Sequence, residues 1–74
     1  MGGVMNVAAG LAEHVRARRA SLALGQEEMA ELSGTSVRFI RNLEQGKQTV
    51  RLDKVQAVLC VLGLELTVRL QSSR

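Results

Sequence analysis

The sequence predicts an all-α fold of four short helices, closed by one C-terminal β-strand that has no partner within its own chain. Three observations carry this. Apolar residues recur at helical spacing in separate blocks. Gly25, Gly34, Gly46 and Gly63 punctuate those blocks, and there is no proline. After Gly63 the apolar period changes to two.

At 74 residues the chain has room for one domain. Residues 7–63 are expected to form it, behind an N-terminal extension (1–6) and ahead of a strand (64–70) and a short mobile tail (71–74). Asn6 is the expected N-cap of a first helix running from Val7 to Ser21. Ala8, Leu11, Val15 and Leu22 make its apolar stripe, and Glu13, Arg16 and Arg19 take the other side. His14 falls on the solvated flank. Leu22–Ala23–Leu24–Gly25 breaks the pattern, and Gly25 caps a second helix from about Gln26 to Ser33. Glu27 and Glu28 stand in its first turn, where the macrodipole favours acids. Gly34 ends it as a left-handed glycine.

Ser36 is a good N-cap for a third helix through about Gln45, and Gly46 stops that helix. A Lys47–Val50 loop leads to a fourth helix, roughly Leu52 to Leu62. Leu52, Val55, Val58, Leu59 and Leu62 make one apolar stripe, and Ala57, Cys60 and Val61 make much of the opposite side apolar too. A helix apolar nearly all round is buried on two sides, which a chain this small cannot easily provide. Beyond Gly63, Leu64, Leu66, Val68 and Leu70 alternate with Glu65, Thr67 and Arg69, the signature of a half-buried strand. A lone strand leaves its backbone groups unpaired, and pairing with a second copy about a two-fold axis remedies this. Helix and strand both predict a homodimer, with Val58, Val61, Leu62, Leu64, Leu66, Val68 and Leu70 as its contacts.

Composition narrows the function classes. The net charge is +3, with Arg16, Arg18 and Arg19 in one cluster and Arg38, Arg41 and Lys47 in another, a balance suited to a polyanion. One cysteine, Cys60, excludes an internal disulfide, and with one histidine, His14, there is no Cys/His zinc set. No metal and no cofactor is expected. One Asp, no Tyr, no Trp and no phosphate-cradling glycine loop argue against an enzyme. No apolar run approaches the ~20 residues of a membrane span, and no signal peptide is visible, so a cytoplasmic location is expected.

The informative stretch is GQEEMAELSGTSVRFIRNLEQG, Gly25 to Gly46. Two short helices joined by a tight turn with glycine at its start are a helix-turn-helix. Ala30 lies where the second helix crosses the first closely. Gly34 reverses the chain, Ile40 and Leu43 anchor the second helix from below, and Met29 fills the gap. The exposed side of that second helix would carry Arg38, Arg41 and Asn42. Arg pairs bidentately with guanine and Asn with adenine, and Val37 suits a thymine methyl. Phe39 is read as packing against the fold or the groove rim rather than stacking on bases.

These residues resemble the Cro/phage-repressor-like (Xre) helix-turn-helix family, from about Leu11 to Leu64. The resemblance implies a four-helix repressor-type domain whose third helix enters the major groove of double-stranded DNA. It implies that Gln26 supports base contacts and touches the DNA backbone. It also implies that Ser36, Val37, Arg38, Arg41 and Asn42 face the groove, and that Lys47, Gln48 and Arg18 or Arg19 touch phosphate. Arg19 and Glu44 match positions where the family often places an ion pair between the first and third helices. The chain departs from the family at Ala23, where glycine is common, at Gly25, where threonine is, and at Gln48, where proline is. The stretch GKQTVRLDKVQAVLCVLGLELTVRL is similar to the C-terminal half of HipB-type antitoxins. That likeness implies a homodimer joined through strands, repression of its own operon at a palindromic operator, and binding to a HipA-type serine/threonine kinase toxin. An autonomous phage-type or operon repressor without a toxin is the alternative.

Overall fold

The computed structural model describes residues 7–67. Four helices follow one another: α1 (Val7–Ser21), α2 (Gln26–Ser33), α3 (Val37–Glu44) and α4 (Leu52–Leu62). Helix α2 packs against both α3 and α4, and α1 against the same two. The core sits where they meet: Val15 from α1, Met29 and Ala30 from α2, Ile40 and Leu43 from α3, and Val55, Val58, Leu59 and Leu62 from α4. Each fully buried aliphatic side chain of this kind contributes ~1.5–3 kcal/mol. Together they hold helices of only two to four turns, too short to persist alone.

The helix ends explain the boundaries. Each helix closes with the same pair of backbone bonds, one from a turn residue just past the helix and one from that residue's successor, which reach back into the last turn. At α2 these are Gly34 N–H to Glu31 O (3.2 Å) and Thr35 N–H to Ala30 O (2.9 Å). At α3 they are Gly46 to Leu43 and Lys47 to Asn42, and at α4 Gly63 to Cys60 and Leu64 to Leu59. The geometry needs a positive φ, which Gly34, Gly46 and Gly63 supply at 69°, 81° and 70°. At α1 the same position is Ala23, at φ 57°. The departure noted at Ala23 is therefore a conformational one.

Several expectations change at this level. Helix α3 stops at Glu44, with Gln45 as its C-cap. Leu22 lies past the end of α1 and is exposed; among the α1 side chains described (residues 10–21, which leaves out Ala8), Ala12 and Val15 are buried and Leu11 is half-buried. Val58 and Leu62, read as dimer contacts, are 0% and 1% exposed in the single chain. They belong to the chain's own core, because α2 and α1 cover that stripe of α4. Of the second stripe, Val61 is half-buried against the core, Ala57 is half-buried and Cys60 is exposed. Leu64 packs back against the core, Leu66 is exposed, and no strand is formed over residues 64–67. Val68 and Leu70, with the rest of the expected strand, lie outside the described residues, as do Asn6, the N-terminal extension and the tail.

Candidate nucleic-acid interface

The α2–turn–α3 unit is built from the inside. Met29, Ala30, Ile40 and Leu43 are buried beneath it, and Gly34 makes the turn. Ser33 Oγ donates to Met29 O (2.7 Å) and lies 2.8 Å from Thr35 Oγ1, so the turn's polar groups are paired locally. Ser36 Oγ accepts from Phe39 N–H (3.0 Å), which starts α3 where the sequence predicts.

With its inner side fixed, α3 turns Arg38 and Arg41 fully outward, and Val37 and Asn42 are half-buried beside them. Val37 and Arg41 share a shallow crease with Gly25, Gln26, Glu27 and Glu28 at the start of α2. The fold thus brings Gln26 to the readout side of α3, as the resemblance implies. Glu27 and Glu28 rim the same crease, and Glu28 Oε1 accepts from Gly25 N–H (3.1 Å), capping α2. Ser36 sits exposed at the start of α3; Lys47 and Gln48 are exposed in the loop after it, outside the crease.

Glu44 ties this unit to α1. It is 4% exposed, and among the described residues it is the one buried charged side chain. Arg19 Nε donates to its Oε2 (2.6 Å) and Arg19 Nη2 to its Oε1 (2.9 Å), a bidentate pair. Gln26 Nε2 donates to Oε1 as well (3.1 Å). Arg16 donates to the backbone oxygen of the same residue. Burial pushes the Glu44 carboxyl up, but the hydrogen bonds from Arg19 and Gln26 and the charges of Arg19 and Arg16 outweigh it and hold the group below the usual carboxylate range. The hydrogen bond to Glu44 raises Arg19 in turn.

Arg19, read as a phosphate contact, lines the crease beside Gln26, Val37 and Arg41. Its Nη1 donates to Leu24 O (2.9 Å), so three of its five N–H groups are committed to the fold. Arg18 is similarly engaged, with Nε donating to Leu62 O (2.8 Å) at the end of α4. Two features had no sequence signal: the link from Gln26 to Glu44, and the placement of Lys54 Nζ 5.8 Å from the centre of the Phe39 ring. Both join residues that no local spacing rule relates.

The sequence model of a family described as "Helix-turn-helix" matches residues 15–68, most of the chain. The chain belongs to this helix-turn-helix family. It is also 41% identical over 54 residues to an uncharacterized HTH-type transcriptional regulator, y4mF, of Sinorhizobium fredii, a match covering 73% of this chain and 71% of that protein. A helix-turn-helix presents its second helix to the major groove. Here that second helix is α3, on which Arg38 and Arg41 are exposed. The fold is that of a DNA-binding regulator.

Proposed function

We propose that this helix-turn-helix protein is a sequence-specific transcriptional repressor that acts as a homodimer. We further assign it the role of antitoxin to a HipA-type kinase, repressing the operon that encodes both. It would work by binding alone, without catalysis. The observation that carries the DNA reading is the pairing of a buried, capped, ion-paired rear on α3 with outward Arg38 and Arg41 and a half-buried Asn42 beside them. A rigid helix offering bidentate donors is what base readout requires.

Support for the dimer comes from the second apolar stripe of α4 and from the exposed Leu66. Two copies would place two α3 helices in successive major grooves about one turn apart (~34 Å), so the operator would be palindromic. Support for the antitoxin role is the likeness of residues 46–70 to HipB-type chains.

Selection of bound sequences from a random duplex library tests the DNA reading, with a palindrome as the expected result. In the Arg38→Ala protein the preference should relax at one base pair of each half-site, at ~1–3 kcal/mol per contact. An unchanged preference would refute the role given to Arg38. Co-purification from native cells tests the partner: recovery of the operator fragment without a kinase would leave an autonomous repressor.

A further inference from the structure

The geometry points to Lys54 as a phosphate contact on the far flank of the reading helix, held in place by the Phe39 ring. The inference rests on the DNA-binding reading above. Successive residues on a helix turn by about 100°. On α3, Ile40, Leu43 and Glu44 are buried, and Arg38 and Arg41 are exposed on the opposite side. Val37 and Phe39 therefore stand on opposite flanks. Val37 borders the crease that holds Gln26. Phe39 is half-buried on the other flank, with the Lys54 ammonium 5.8 Å from its ring centre. A helix lying in the major groove is bordered by two phosphate backbones, one along each side. Gln26 is placed to meet one of them, and Lys54 is placed to meet the other.

Local chemistry gives Lys54 no other task. It stands in the first turn of α4, where the helix dipole disfavours a cation. The neighbouring acid does not relieve this: Asp53 is taken by Arg51, whose Nε and Nη2 donate to its two carboxylate oxygens at 3.1 and 2.7 Å. Among the described residues the ion pairs are Arg19–Glu44 and Arg51–Asp53, so no carboxylate pairs with Lys54. A half-buried cation without an acid, against an unfavourable dipole and over an aromatic face, is ordered in advance for an anion from outside. Phe39 is then a positioning residue rather than a base-stacking one.

The test uses Lys54→Gln, Lys54→Arg and Phe39→Leu in the full chain. Binding to a labelled mixed-sequence duplex would be followed by fluorescence anisotropy across salt concentrations, with thermal melts confirming the fold. Lys54→Gln is expected to weaken binding on the order of ten-fold near ~0.1 M salt, and to lower the slope of log K against log salt by ~0.9, one phosphate's worth. Lys54→Arg should retain both. Phe39→Leu should bind several-fold more weakly at the wild-type slope, and should add nothing on top of Lys54→Gln. A wild-type slope in Lys54→Gln overturns the inference, as does a Phe39→Leu loss that persists undiminished in the double variant. If Phe39→Leu unfolds the chain, the two Lys54 variants decide alone. A wild-type chain that binds no duplex at all overturns the DNA reading, and this inference with it.

Discussion

All four helices are followed by a turn residue in the left-handed region, one or two positions past the helix, and at α1 that residue is an alanine. An L-residue there costs ~1–2 kcal/mol, part of which a glycine gives back as entropy lost on folding. Ala23→Gly is expected to stabilise the chain by about 1 kcal/mol, read as a rise in thermal midpoint. Glu44 is the other residue whose identity matters out of proportion to its size. Replacing it with Gln leaves the Arg19 guanidinium, 20% exposed, without its counter-charge. The expected loss is about 2–3 kcal/mol, below the full cost of breaking a wholly buried pair because water still reaches Arg19. Its pH dependence has a definite sign. The folded carboxyl sits below its ordinary value, so its contribution is complete above the unfolded range near ~4.3 and is lost as pH falls through the lower folded value. Thermal melts from neutral pH downward should show that acid-side loss in the wild type and a smaller one in Glu44→Gln. The pairing of Arg19 with Glu44 was legible only through the family likeness. The further bond from Arg19 to Leu24 O was not, because a pattern of residues does not say which backbone oxygen a guanidinium will meet.

At the scale of the element, the chain reads clearly. Three of the turn positions are glycines at the required positive φ, and Ser36 caps α3 through its own hydroxyl. These are local causes, each acting within a few residues, and they place the ends of α2 and α4 and the start of α3 where the helical period alone would blur them. Ser36→Ala should cost about 1 kcal/mol, since it returns the Phe39 N–H to water and loosens the first turn of the reading helix. A melt measures the cost, and weaker operator binding should accompany it if the first turn carries Val37 and Arg38 to the groove. Helix α4 was harder to read. Both of its stripes are apolar, and nothing in an apolar spacing says which stripe α1 and α2 will cover. The core took Val55, Val58, Leu59 and Leu62, with Val61 packed at its edge, and left Ala57 half-buried and Cys60 exposed.

For the whole molecule, the proposed dimer rests on apolar surface that the single chain leaves open. Past α4, Leu66 is exposed while Leu64 turns into the core. Leu66→Asp touches no buried residue of the single chain. It is therefore expected to leave the thermal fold of the monomer intact while shifting sedimentation from dimer to monomer. A dimer that survives this change would remove Leu66 from the interface. The amino-acid sequence by itself determined the number of helices, their ends, the turn at Gly34 and the outward set on α3, because capping, left-handed glycine and helical period are short-range effects. Only the tertiary structure decided that Val58 and Leu62 are core, that Arg19 and Gln26 converge on Glu44, and that Lys54 rests on Phe39. Those outcomes depend on which surfaces meet when helices distant in the chain pack together, and on which donors are then already spent.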